Sequence, residues 1–433
     1  MKIIIKNGYI VNPAEGIEGI GEILVEDGRI VWIKDAEAAS RAGDKHGAEV
    51  IDAGGHFVMP GLVDMHTHLR EPGFEHKETI KTGSAAAIHG GFTAVCCMPN
   101  TNPPNDCPEV TAYILDKARE AYCSVFPIGA VTKGQKGLEP VDFEALRKAG
   151  CVAFSDDGRP VVNSLIMRKA LEYSKDTGTP VISHCEDPFL AEGGVMNEGR
   201  FSRLLRLKGI PAAAEEVMIA RDSILAGMTG GRLHIAHVST KRSVELIRRA
   251  KNDGVNITAE TCPHYFSMTE GAVKFLLAYA KVNPPLRTDE DVEAIREGLQ
   301  DGTIDVIATD HAPHHRDEKE LGIESAPFGF SGLDIALGLS LGLVHSGYLT
   351  ITQLVKKMAL NPSKILGLQR GALKAGREAD ILIVDPEKIW RVNTDSFASM
   401  GRNTPFAGTP LKGAPVIVIS GENMYNLTDD RGI

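Results

Sequence analysis

The stretch Leu62-Val63-Asp64-Met65-His66-Thr67-His68 reads as a short buried strand whose far end turns polar. His66 and His68 lie two apart, and alternate residues of a strand point to one side, so the two imidazoles can grip one cation. A lone His-x-His pair is more often a surface pair or a satisfied polar pair. Its meaning has to come from the segments around it.

Those segments repeat the same grammar of strand, polar loop and helix. Strands are predicted at 62–65, 93–98, 124–128, 152–154, 180–183, 233–236, 256–259 and 305–308, and amphipathic helices at 142–149, 162–177, 243–252 and 289–300 among them. Eight such units point to a parallel (β/α)8, TIM-like barrel of the α/β class over 59–369. The two chain ends read differently. Ile3 to Ile5, Glu22 to Val25 with the Asp27-Gly28 turn, Ala379 to Val384 and Pro415 to Ile419 are hairpin-like, so 1–58 and 370–433 are expected to build one small, discontinuous β-sandwich domain.

Composition narrows the class. With 433 residues, 43% of them hydrophobic, the chain can bury a large core, and its balance of 47 basic against 57 acidic residues disfavours nucleic acid as a ligand. Seven cysteines without a Cys-x-x-Cys spacing, and a start that lacks an apolar secretion segment, point to a reduced, cytoplasmic setting. No apolar run approaches the ~18 residues of a membrane span.

In such a barrel the strand ends converge on one face. Here they carry His66 and His68, then Asp156 and Asp157, then His184, His237 and Asp310. Polar side chains at a buried mouth are costly without a partner, and this donor set of imidazoles and few carboxylates suits Zn²⁺ better than Ca²⁺. One carboxylate of the Asp156-Asp157 pair could bridge two ions; spacing alone leaves open which. Arg70, two residues beyond His68, is expected on the same strand face, where its planar fork suits a carboxylate, of a salt-bridge partner at the barrel rim or of a ligand.

Asp64-Met65-His66-Thr67-His68-Leu69-Arg70-Glu71-Pro72-Gly73, Cys97-Met98-Pro99-Asn100-Thr101-Asn102-Pro103, Asp156-Asp157-Gly158, His237-Val238-Ser239-Thr240, Val282-Asn283-Pro284-Pro285-Leu286-Arg287 and Ala308-Thr309-Asp310-His311-Ala312-Pro313-His314 occur in one order along the chain. In these motifs the sequence resembles the longer bacterial dihydroorotases of the amidohydrolase superfamily. The resemblance implies that His66 and His68 hold one zinc and His184 and His237 a second, with Asp157 bridging and Asp310 both ligand and catalytic acid/base. It implies one or two Zn²⁺ per subunit, and His68, Arg70, Asn100, Asn283, His314, Phe328 and Gly329 around the substrate.

The implied reaction is the reversible cyclisation of N-carbamoyl-L-aspartate to (S)-dihydroorotate and water, the third step of UMP synthesis, run by a metal-bound hydroxide with an aspartate acid/base. A homodimer, and assembly with aspartate carbamoyltransferase, are implied partners. The rival readings are an allantoinase or hydantoinase, and a catalytically silent barrel that only partners the carbamoyltransferase. Many superfamily members bridge their metals with a carboxylated lysine, but 151–158 contains none, which ranks hydantoinase lower. His264 and Tyr265 match no role. His311, His315 and Cys185 are expected to be supporting or structural residues, and the polar stretch 313–329 reads as a mobile lid or as a solvated charged loop.

Overall fold

The structure is a computed structural model that describes residues 2–35 and 47–428. Five strands come first, β1 (Lys2–Asn12), β2 (Ile17–Glu26), β3 (Arg29–Asp35), β4 (Glu49–Asp52) and β5 (Phe57–Pro60). Then follow β6 (Leu62–Thr67), β7 (Phe92–Cys97), β8 (Ser124–Pro127) and β9 (Val181–Ser183), a short pair β10 (Met196–Asn197) and β11 (Gly209–Ile210), and β12 (Leu233–Ile235), β13 (Ile257–Thr261) and β14 (Val306–Ile307). The chain ends in β15 (Asp380–Arg391), β16 (Pro410–Ser420) and β17 (Asn423–Asn426).

The middle strands pair in parallel, β6 with β7 with β8, and β9 with β12 with β13 with β14. Two links join these runs. Phe154 bridges Gly129, just past β8, to Val181 of β9, and Thr67 of β6 bridges His311, just past β14. The pairing therefore returns to its start after eight positions. The predicted strand at 152–154 is reduced to its bridge at Phe154, because the next residues turn at once to present Asp156 and Asp157.

Met65, Cys96, Ile128, Ala153, Ile182, Ala236 and Val306 form one apolar cluster drawn from all round this ring, so the ring is filled rather than open. Helices cover it for reasons visible in the sequence. In Lys241–Asn252, Val244, Ile247 and Ala250 fall on one buried face, and Thr240 caps the start by accepting the Ser243 N–H.

The expected sandwich takes the form of one continuous eight-stranded sheet, in the order β17-β16-β15-β5-β1-β2-β3 with β4 also beside β1. β1 is long enough to serve two neighbours: Ile3 to Lys6 pair with β4, and Tyr9 and Ile10 with β5. Both chain ends share its core of Ile3, Ile5, Ile23, Val58, Ile381, Ile383 and Ile419. The expected boundary at 370 needs one amendment. Between β15 and β16 the chain leaves the sheet, and Phe397 and Phe406 pack with Tyr265 and Phe330 near the ring's mouth.

Asp64 fastens the ring where it closes. Its carboxylate accepts Thr309 Oγ1 at 2.5 Å, Thr309 N at 3.2 Å and His66 N at 3.1 Å, all in the dry interior. Asp64→Ala leaves these donors unmet, and a loss of about 3 kcal/mol of unfolding free energy is expected in chemical denaturation.

Candidate metal centre and its cavity

Each expected donor sits at or just past a strand end, on one face of the ring. His66 lies within β6 and His68 just beyond it; Asp157 follows the Phe154 bridge, His184 follows β9, His237 follows β12, and Asp310 follows β14. His237 and Asp310 take positive φ, 36° and 48°, backbone conformations that L-residues adopt only when the surroundings hold them.

Asp157 is the centre of the group. Its Oδ2 lies 3.4 Å from His66 Nε2 and 3.5 Å from His68 Nε2, while its Oδ1 lies 3.4 Å from both His184 Nδ1 and His237 Nε2. Each oxygen faces one imidazole pair. Asp310 Oδ1 closes the first set, 3.0 Å from His68 Nε2 and 3.5 Å from His66 Nε2. Asp156 points away, where Val131 N, Thr132 N and Thr132 Oγ1 occupy both its oxygens, and this leaves Asp157 to face the histidines.

The electrostatics suit a cation. Burial raises the Asp157 carboxyl, but the His66 charge and the facing imidazoles of His184 and His237 outweigh it and hold Asp157 well below the usual carboxylate range. Burial likewise lowers His66, yet Asp157, Glu260 and Asp310 hold it well above the imidazole range. His66 Nε2 and Asp157 Oδ1 are buried without a hydrogen-bond partner. Clustered imidazoles and carboxylates with idle, dry donor atoms fit one divalent ion on the His66, His68 and Asp157 side, and another on the Asp157, His184 and His237 side.

Behind the donors stands a support that sequence reading missed. Glu260 Oε1 binds His66 Nδ1 at 2.5 Å, its other oxygen lies 3.2 Å from His234 Nε2, and His234 Nδ1 reaches Thr258 Oγ1 at 2.8 Å. A Glu inside the buried strand Ile257–Thr261, the last but one of its five residues, was the available signal. Asn100 does for His68 what Glu260 does for His66, its Oδ1 lying 2.8 Å from His68 Nδ1.

A cavity of about 180 Å³ opens over the donors, lined among others by His68, Arg70, Asn100, Asp157, His184, Asn283, Asp310, Phe328 and Gly329. Arg70 arrives by a different route from the one expected. β6 ends at Thr67, so Arg70 lies in the loop, where a φ of 63° and the bond from its Nε to Pro313 O, 3.1 Å, turn it toward the cavity. Burial lowers it to about 10, leaving it cationic at neutral pH.

His314 stands behind Arg70 and is absent from the lining. Its Nε2 lies 2.7 Å from Phe328 O and its Nδ1 3.4 Å from Lys77 Nζ. Burial, then the Arg70 and Lys77 charges, hold it neutral, well below the imidazole range. Arg70 Nη2 also lies 3.3 Å from His314 Nε2; a neutral ring that donates from Nε2 to Phe328 O accepts Lys77 at Nδ1 and offers that guanidinium nitrogen no acceptor. Asn283 Oδ1 is buried without a partner.

The expected lid is fastened at its end. Lys281 Nζ donates to Ile323 O, 2.7 Å, and Ala326 O, 2.7 Å, and Lys319 Nζ donates to Pro327 O and Gly329 O, both 2.9 Å. His311 is buried and supporting, its Nδ1 accepting Gly332 N at 3.1 Å; Cys185 is buried beside Ser183 and Asp222; His315 is half exposed and caps the helix Arg316–Lys319.

A family described as Dihydro-orotase-like matches residues 55–243. A dihydroorotase of Acetivibrio thermocellus is 54% identical over 415 residues, covering 95% of this chain and 96% of its own. One of Geobacter metallireducens is 53% identical over 423 residues, covering 97% and 98%. Among solved structures, an L-hydantoinase (dihydropyrimidinase) from Arthrobacter aurescens matches 98% of this chain and 95% of its own with a TM-score of 0.85 at 27% identity. A dihydropyrimidinase from Brevibacillus agri shares the fold, with a TM-score of 0.86 over 99% of this chain and 96% of its own at 23% identity.

Two outcomes are expected of the supporting residues. Glu260→Gln should weaken metal binding about 10- to 100-fold in competition with a chelator while the circular dichroism stays native. Lys319→Met frees two carbonyls beside Phe328 and Gly329, and should raise KM about tenfold with a smaller change in kcat.

Proposed function

The chain belongs to the dihydroorotase family, and on that premise we propose how its own residues interconvert N-carbamoyl-L-aspartate and (S)-dihydroorotate, the third step of UMP synthesis. The proposal includes the (β/α)8 barrel over 59–369 as catalytic unit and the end-built sheet of 1–58 and 370–433 as its companion. The observation that carries the reading is the two-sided carboxylate of Asp157, with an imidazole pair against each oxygen and no lysine in the fourth strand position.

His66, His68, Asp157, His184, His237 and Asp310 would hold two divalent ions, with zinc favoured by this nitrogen-rich donor set. Such ions supply Lewis acidity to the amide carbonyl and lower the pKa of water. The remaining work belongs to the protein. Arg70 takes the ring carboxylate in its planar fork, and Asn100 and Asn283 orient the ring with their free amide atoms. Phe328 and Gly329 close over it and limit access of bulk water.

Asp310 moves the proton. Burial raises its carboxyl, but the His66 charge and the His68 hydrogen bond bring it down to about 2, so it enters as a base. In ring opening it takes the proton of the attacking water and returns it to the ring nitrogen as the C–N bond breaks. In cyclisation it takes the proton from the carbamoyl NH₂ as that nitrogen attacks the carbon of the protonated β-carboxyl, and delivers it to the hydroxyl, which departs as water. A homodimer, and assembly with aspartate carbamoyltransferase, belong to the same reading.

Asp310→Ala should lower turnover at least about 1000-fold. Arg70→Met should raise KM for dihydroorotate about 100-fold and leave opening of dihydrouracil, which lacks the carboxylate, unchanged. Protein loaded with zinc that opens hydantoin or allantoin but not dihydroorotate would overturn the reading.

A further inference from the structure

A second group of metal-type donors is gathered beside the first, at the end of β13. Cys262 Sγ, a ring nitrogen of His264 and a carboxylate oxygen of Asp310 all lie within 4.8 Å of one another. Cys262 is fully buried, His264 is 2% exposed, and His264 Nε2 has no hydrogen-bond partner. The ring is held between Tyr265 and Phe330, with centroids 4.1 and 5.1 Å away, so it is not free to swing out to water. A dry, idle imidazole nitrogen is costly unless a ligand meets it.

The local chain explains the convergence. β13 delivers Cys262 as the last extended residue, Pro263 starts the helix Pro263–Ser267, and His264 follows on its first turn. Two donors are thus set beside Asp310 at a strand-to-helix junction. Among the described residues, Cys262 is the only cysteine in a group of this kind.

We propose that Cys262, His264 and Asp310 bind a soft divalent cation, Zn²⁺ in excess or Cd²⁺, and that filling this site inhibits the enzyme. Thiolate, imidazole and carboxylate select such ions over Mg²⁺ and Ca²⁺. A tetrahedral ion with bonds of about 2.0–2.3 Å spaces its donors about 3.3–3.8 Å apart, so side-chain shifts of about 1 Å complete the site. The thiol proton leaves to solvent as the sulfur–metal bond forms. Asp310 is common to both groups. A carboxylate engaged here is drawn from His68 and cannot carry the proton between water and ring nitrogen, a consequence that rests on the acid/base role given to Asp310 above.

The test uses holoenzyme of measured metal content, titrated with Cd²⁺ while the ultraviolet thiolate-to-cadmium charge-transfer band and turnover are followed together, beside Cys262→Ala and the near-isosteric Cys262→Ser. The expected result is a band saturating at one ion per chain, absent from both variants, with wild-type turnover falling at least about tenfold and the variants, of near wild-type basal activity, spared. No band, or a band retained in the variants, overturns the site and leaves the role of Asp310 untouched. A band that depends on Cys262 without loss of turnover overturns the inhibition, and locates the error in the role of Asp310.

Discussion

One carboxylate shared between two imidazole pairs organises this molecule. Asp157 is almost wholly buried; one of its oxygens faces the two histidines of β6's end and the other faces two histidines that follow β9 and β12. A charge in that position is tolerable only if every neighbour is fixed, because in a dry site an unmatched charge costs far more than a matched one returns. The ring of parallel strands supplies that fixity. It brings β6, the Phe154 bridge, β9, β12 and β14 to one mouth, and Asp64 locks the seam where the ring closes.

The supports follow the same logic outward. Glu260 and Asn100 each hold the second nitrogen of a donor histidine, so His66 and His68 turn their Nε2 atoms inward. Arg70 is positioned by Pro313 O and backed by a neutral His314, whose Nε2 lies 3.3 Å from Arg70 Nη2 and is itself engaged with Phe328 O. Phe328 and Gly329 are held by Lys281 and Lys319, and Asn403 Nδ2, from the segment between β15 and β16, reaches Gly329 O at 3.2 Å. The end-built sheet therefore acts on the site through one excursion of its chain.

Much of this was readable in advance because ligands must sit where the strands end. Apolar runs followed at once by His66, His184, His237 or Asp310 mark the ring and its mouth together. Glu260 and His234 escaped notice because their partners lie on other strands, and a single buried charge within a strand is ambiguous until the opposing side chain is known. Arg70 was placed on the right surface by the wrong geometry: alternation holds only within β6, which stops at Thr67, and a left-handed loop residue does the turning instead.

The sequence by itself determined the order of strands and helices, the donor set and the absence of a bridging lysine, since periodicity and residue chemistry are local properties. Only the tertiary structure decided that Asp157 rather than Asp156 faces the histidines, that His314 stands behind Arg70, and that Cys262 and His264 converge on Asp310. Those choices depend on which side chains meet across the ring. A contact between residues some fifty positions apart, such as Cys262 with Asp310, leaves no trace in local pattern.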